Sequence, residues 1–469
     1  MSVDGTTGGD GLAREFGALT LTLTGIGTVI GAGIFVITGQ AAAIHAGPAI
    51  ALSFVLAGVV CLFAAFCYAE MAGQVPLSGG AYNFAETAFG RKMAWLVGWA
   101  ILGEYTFAAG AIAISWSGYV QSVIADFGIV LPAAVARSPW AFDGSSFVAT
   151  GAVINLPAVL IMLAVTASHL VGLKESARFN NFTVFVKLSA VALFIVFGLA
   201  YAVPANWTPF IPAAEARPGG GSAFGYGGIA AGAAMVFFAY LGFDALTTAS
   251  QETRDPQRSV PRALLATLAI STVLYILVAL AMTGLADFRT LGTDAPIVTA
   301  LAAAGDSIGW LKTYVGIAVS IGLWAGLWPC VFAMSRLFWR FSQDGYLSPR
   351  LGELSPRLVP ARGVVVAGVI TTVLSAFAPI ALLGELISTG TLIAFAVVCA
   401  AVIRLRLSQP ARERPFKAPL WWLVAPLGVL SCLALLASMG GAASLRAAAW
   451  QGVGLVVLAL SLSLRRSPR

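Results

Sequence analysis

The chain has 469 residues, 59% of them hydrophobic and only 10% charged, with a mean hydropathy of +0.90. Such a composition lies far from that of soluble globular domains and marks a polytopic membrane protein with no length to spare for a soluble domain. The net charge of +7 reports where Lys and Arg are placed along the chain and gives no support to nucleic-acid binding.

Residues 1–469 are therefore expected to form a single membrane domain. Met1 to Arg14 includes acidic residues and lacks the basic start of a cleavable signal peptide, so the first apolar segment is expected to stay in the mature chain. Apolar stretches able to cross roughly 30 Å of hydrocarbon recur near 17–43, 47–73, 92–123, 151–172, 181–203, 226–250, 262–285, 311–341, 363–380, 383–403, 419–439 and 447–464. The predicted fold class is an all-α polytopic membrane protein with 12 transmembrane helices.

The first stretch contains Ile30-Gly31-Ala32-Gly33-Ile34-Phe35, poor material for continuous helix. A broken helix survives in a bilayer only where protein, water or ligand satisfies the freed backbone groups. The N–H groups of Ala32 and Gly33 would begin a half-helix, whose partial positive charge suits a carboxylate. Carbonyls near Val29 would accept from an ammonium group, and the two together describe an α-amino acid. The competing reading is close helix packing, since Gly27 to Gly31 matches GxxxG. A second break, Tyr240-Leu241-Gly242-Phe243-Asp244, falls in the sixth stretch. There Leu241 and Gly242 offer carbonyls, Phe238 and Tyr240 offer ring surface, and Asp244 is either a functional intramembrane carboxylate or a local cap.

Breaks in the first and sixth of twelve segments predict two units of five spans, antiparallel because five is odd. The resulting 5+5 inverted repeat occupies 15–203 (repeat 1, helices 1–5) and 226–407 (repeat 2, helices 6–10), with peripheral helices 11–12 in 418–465. With the N-terminus in the cytoplasm, 21 of the 27 Lys and Arg residues lie inside. Arg137, Arg217, Arg289, Lys312 and Arg446 lie outside, and Lys187 falls within a helix. Both termini are thus expected in the cytoplasm, in a cytoplasmic (inner) cell membrane.

Lys187, in the fifth span, is a candidate for proton coupling, because burial lowers an amine's pKa; snorkelling to the surface is the alternative. Glu104, in the third span, reads either as a substrate or proton partner or as a helix–helix hydrogen bond. Glu70, His169 and Glu385 lie near span ends and read as mainly structural. Trp324 and Trp328 share a helix face, which borders either a pocket or the core. The five cysteines, Cys61, Cys67, Cys330, Cys399 and Cys432, read as small hydrophobes. Only two histidines occur, with no HExxH, GxSxG or paired-acid constellation, so no enzyme, catalytic residue, metal or cofactor is expected. The deep charges are too few and scattered for a channel.

These motifs resemble the amino acid-polyamine-organocation (APC) transporters, most closely the cationic amino acid transporter branch and its bacterial members. The resemblance rests on Ile30 to Phe35; Tyr68-Ala-Glu-Met-Ala72 with Pro76, Gly79-Gly80, Tyr82 and Phe89-Gly90; Gly242-Phe-Asp244 with Glu252, Asp255 to Arg258 and Pro261; and Ser335-Arg336 with Asp344-Gly345. It implies a LeuT-type fold, alternating access and L-amino acid substrates. It also implies that Lys187 stands where a sodium ion sits in other members. The site would be lined by Val29, Gly31, Ala32, Gly33, Phe238 and Leu241, with Glu104 and Asp244 as further candidates. Expected partners are the L-amino acid, protons and the lipid bilayer, with room for an unidentified small membrane-protein partner. Proton symport leads; exchange of amino acids or polyamines, or cationic amino acid carriage, is the alternative.

Overall fold

The computed structural model describes residues 17–31, 33–75, 80–142, 146–171, 177–216, 222–240, 242, 246, 253, 256–355 and 359–466. Helix dominates, at 81%. Eight described helical runs are long and apolar enough to cross a membrane, and four shorter apolar helices, Ala18–Gly27, Leu156–Val171, Gly225–Tyr240 and Ala361–Phe377, join them.

Helix α1 (Ala18–Val29) ends where Ile30 turns to extended geometry. The chain resumes as α2 (residues 33–46), which is π-helical over Gly33–Ile37 and Ala42–Ala46, with a short α turn, Thr38–Ala41, between them. Wide π turns interrupt the regular ladder and are characteristic of functional sites. Gly47, at φ +60°, turns the chain into Pro48 and α3 (Ile50–Gln74), a conformation that side chains rarely adopt. The apolar run 33–74 is thus two helices joined at a glycine.

Helix α4 (Gly80–Phe89) precedes the 36-residue α5 (Arg91–Asp126). Helix α4 buries Tyr82, Phe84, Ala85 and Ala88. Beyond α5 lie the short α6 (Ala133–Ala136) and a hairpin of β1 (Trp140–Phe142) and β2 (Phe147–Ala149). Then come α7 (Leu156–Val171) and α8 (Ala177–Ala200), followed by a small pair of β3 (Glu215–Ala216) and β4 (Ser222–Ala223). Helix α9 (Gly225–Val236) tightens into a 3₁₀ turn, Phe237–Tyr240, at the second break. The remaining helices are α10 (Pro256–Leu285), α11 (Pro296–Ala303), α12 (Gly309–Gln343), α13 (Ala361–Phe377), α14 (Ile380–Ser408), α15 (Trp421–Ser438) and α16 (Gly441–Arg466).

The bundle has two chemically different ends. At one, Tyr82 of α4 donates to Asp344 at the end of α12, and Arg340 bonds the same carboxylate. Glu70 of α3, fully buried, accepts two hydrogen bonds from Arg406 at 2.9 and 2.7 Å and one from the Ala418 N–H, with Arg414 at 3.5 Å. A carboxylate holding a bidentate guanidinium and a backbone donor balances much of its desolvation cost. At the other, the hairpin end, Asp126 pairs with Lys312 and Thr313, holding its carboxyl below the usual range. Glu385 pairs there with Arg446, whose guanidinium lies over Phe142 of the hairpin. Glu70 and Glu385 therefore tie helices together.

Candidate substrate and proton site

The two broken segments touch. A Cβ placed on Gly33 would lie 2.2 Å from the Cα of Ala239, so only glycine lets the start of α2 meet the end of the 3₁₀ turn after α9. Other glycines in the same run have separate tasks. Gly25 lies against Thr267 of α10 and Gly27 against Val184 of α8, whereas a Cβ at Gly31 meets nothing within 4 Å among the described residues. Close packing thus accounts for Gly25, Gly27 and Gly33, whereas no described residue approaches the Gly31 position.

The freed backbone groups find specific partners, as a low-dielectric interior requires. Tyr275 of α10 directs its hydroxyl at the Val29 carbonyl (2.8 Å) and the Ala239 carbonyl (2.6 Å), one from each break. A phenol carries a single proton, so the two acceptors share it. Ser388 of α14 donates to Met235 O at 2.9 Å and accepts from Phe238 N at 3.2 Å, spanning the turn where α9 tightens. Thr38 donates to Gly33 O, and Tyr119 of α5 donates to Phe35 O at 2.6 Å. Tyr240 donates to Phe54 O of α3.

Lys187 of α8 is 6% exposed, and its Nζ donates to the Gly27 carbonyl at 2.9 Å, one turn before the first break. Its stem crosses Gly322 of α12 so closely that a Cβ there would sit 2.4 Å from Lys187 Cγ. The ammonium is directed inward onto α1, so snorkelling is not the geometry adopted.

Val29 and Gly33 thus meet the second break at Ala239, next to Phe238 in the chain, and Lys187 reaches the first broken helix one turn earlier. Ala32, Leu241 and Asp244 lie outside the described residues. Glu104 is 4% exposed and sits between α5, α12 and α14, its Cβ beside the Gly390 position and its charge near Cys330. Trp328 stacks on His169 of α7 at 4.3 Å and on Phe332, which makes it part of the packing between α12 and α7. Tyr275, Ser388 and Gly322 went unidentified in the sequence. The available signal was polar: a tyrosine inside an apolar span must place its hydroxyl on a partner.

An all-helical membrane protein whose two interrupted helices meet, with polar side chains serving the exposed backbone, is built as a transporter. The chain belongs to the amino acid permease family, whose profile matches residues 16–458. It is an amino acid-polyamine-organocation transporter near the cationic amino acid transporter branch and is not an enzyme. It is 39% identical over 448 residues to the methylthioribose transporter of Bacillus subtilis (strain 168), covering 95% of this chain and 93% of that one. It is 37% identical over 454 residues to the branched-chain amino acid permease BcaP of the same organism, covering 96% and 94%. With the vacuolar cationic amino acid transporter 4 of Arabidopsis thaliana it shares 35% over 402 residues, 85% of this chain and 64% of that protein.

Proposed function

We propose that the protein is a proton-coupled symporter of L-amino acids that works by alternating access. In this reading the chain crosses a cytoplasmic membrane twelve times, as a LeuT-type 5+5 inverted repeat with two peripheral helices. The arginine-rich end and both termini face the cytoplasm, following the positive-inside rule. Breaks at equivalent places in two antiparallel units, meeting through Gly33 and Ala239, support that architecture. The substrate carboxylate binds the N–H groups that open α2, and its ammonium takes the Val29 and Ala239 carbonyls now shared by Tyr275.

One observation carries the coupling: the Lys187 ammonium sits on the Gly27 carbonyl, one turn from that site. Protonated, it holds α1 against α8 and α12; neutral, it donates more weakly and releases α1. The two states therefore favour different conformations. Relatives named as branched-chain amino acid permeases support an aliphatic side chain. Relatives named as cationic amino acid transporters support a second reading, in which Glu104 or Asp244 receives a cationic side chain.

The test is uptake of labelled leucine into proteoliposomes containing no amino acid, driven by an acidic exterior. Isoleucine, valine, arginine, lysine, putrescine and methylthioribose serve as competitors. Gradient-driven uptake competed by isoleucine and valine is expected. Uptake that needs internal substrate would mean an exchanger, and competition by arginine and lysine alone would favour the second reading.

A further inference from the structure

Between α5 and α7 the chain is almost uncharged: across 127–156 only Arg137 and Asp143 carry charge, and Asp143 lies outside the described residues. Phe127, Ile129, Val130, Phe147, Val148 and Val153 are all exposed, Val130 to 81%. In the β1–β2 ribbon Val148 pairs with Ala141 on one face, while Phe147 pairs with Phe142 and Ala149 with Trp140 on the other. Phe142 is buried, with Arg446 over its ring, but all three residues of β2 are exposed. Both faces therefore present apolar side chains outward. A two-stranded ribbon standing in water is marginally stable, and its solvated face is polar; neither face of this one is.

The segment is fastened to one end of the bundle. Ser138 donates to Phe377 O at 2.7 Å, the Asn155 N–H to Ala376 O at 3.2 Å, and Gln121 of α5 to Ala136 O at 2.6 Å. Its apolar surface continues into that of the helices below. Leu156, Leu160 and Leu163 form an exposed stripe along α7, and Val369, Val373 and Phe377 form another along α13. In a multi-pass membrane protein such stripes face acyl chains, so the segment meets the bilayer where those helices end.

We propose that 127–156 is an interfacial anchor lying in the boundary between headgroups and acyl chains, with Val130, Val148 and Val153 among the chains and Arg137 at the lipid phosphates. Arg137 is exposed and has no ion pair among the described residues, where its one hydrogen bond is a long 3.5 Å contact to Thr150 O. A phosphate supplies the paired acceptors that a guanidinium fork fits. Trp140, also exposed, has the amphipathic ring that concentrates at this depth. The β3–β4 pair at the same end differs, because its exposed Glu215 is paired with an exposed Arg289, which suits water. Helices α5, α7 and α13, to which the anchor is tied, carry no break, so it fixes the depth of uninterrupted helices beside the broken ones. The anchor needs no premise about which side of the membrane this end faces.

The test is a depth measurement that needs no transport. Full-length protein in liposomes of phosphatidylethanolamine and phosphatidylglycerol carries an environment-sensitive fluorophore at Val130→Cys, Arg137→Cys, Val148→Cys, Val153→Cys or, as the aqueous control, Glu215→Cys. All of these replace exposed side chains, and the five native cysteines are buried. The quenchers are aqueous iodide, a lipid with a nitroxide on its headgroup and a lipid with a nitroxide near the top of its acyl chain. At positions 130, 148 and 153 the acyl nitroxide should quench severalfold more than iodide; at 137 the headgroup nitroxide should quench most, and at 215 iodide should. Iodide that reaches 148 and 153 as freely as 215, or a probe at 137 that iodide quenches and the headgroup nitroxide does not, would overturn the proposal. Shielding of 148 and 153 from all three quenchers would overturn it as well, because a second copy or another protein would then cover the face.

Discussion

Replacing Gly322 by alanine tests the coupling geometry without touching any charged or polar atom. The new Cβ would stand 2.4 Å from Lys187 Cγ and 2.6 Å from Cδ, mid-stem atoms that cannot move aside without carrying the ammonium with them. Displaced, Nζ leaves the Gly27 carbonyl that it now meets at 2.9 Å. A hydrogen bond from a charged donor contributes about 1.5–3 kcal/mol. At about 1.4 kcal/mol per decade, gradient-driven uptake should fall roughly 10- to 100-fold. Substrate exchange at equal pH on both sides, which does not need the proton step, should fall far less. Gly326→Ala is the control, because among the described residues its Cβ meets only Ile112 Cδ1, at 3.8 Å. Gly322→Ala vesicles that accumulate leucine like the parent, or a Gly326→Ala protein equally impaired, would refute the reasoning.

Glu70→Ala leaves Arg406 and Arg414 facing an empty, buried position and should cost about 3–5 kcal/mol. Thermal melting of the purified protein should show a large drop, whereas Glu86→Gln, which loosens only longer contacts of 3.7 Å to Arg91 and Arg340, should melt within about 1 kcal/mol of the parent. Tyr275→Phe removes the donor shared by Val29 O and Ala239 O, at about 1–3 kcal/mol in the empty protein. An ammonium group can replace that donor, so the rise in melting temperature on adding substrate should be larger than in the parent; an unchanged rise would contradict the role given to those carbonyls. Gly31→Ala should fold normally, its Cβ meeting nothing within 4 Å among the described residues, and raise KM for uptake, whereas Gly33→Ala should abolish uptake by forcing Ala239 away.

Hydropathy and glycine placement made the helical architecture and both breaks legible, because each is a local property of the chain. The Ile30 to Phe35 run showed that a helix must stop, and the structure stops it at Val29. Which glycines pack and which open a site depends on what approaches them. Gly27 meets Val184 and Gly31 meets none of the described residues, a distinction invisible without α8 in place. Lys187 was legible as an expensive buried charge, but its target on Gly27 and its path over Gly322 come from three helices far apart in sequence. Tyr275 and Ser388 were missed for the same reason: a hydroxyl in an apolar span advertises a need for a partner without saying which carbonyl supplies it. Helix α4 carries no strong apolar signal of its own, and its buried face, Tyr82, Phe84, Ala85 and Ala88, needs the bundle behind it.

Proton entry recorded together with substrate entry tests the central claim most directly. With a pH-sensitive dye sealed inside proteoliposomes, adding leucine outside should acidify the lumen of vesicles bearing the parent protein. Vesicles bearing Lys187→Ala should show no substrate-triggered acidification while still exchanging leucine. Acidification that persists in Lys187→Ala, or leucine accumulation by the parent with no proton entry, would contradict the account.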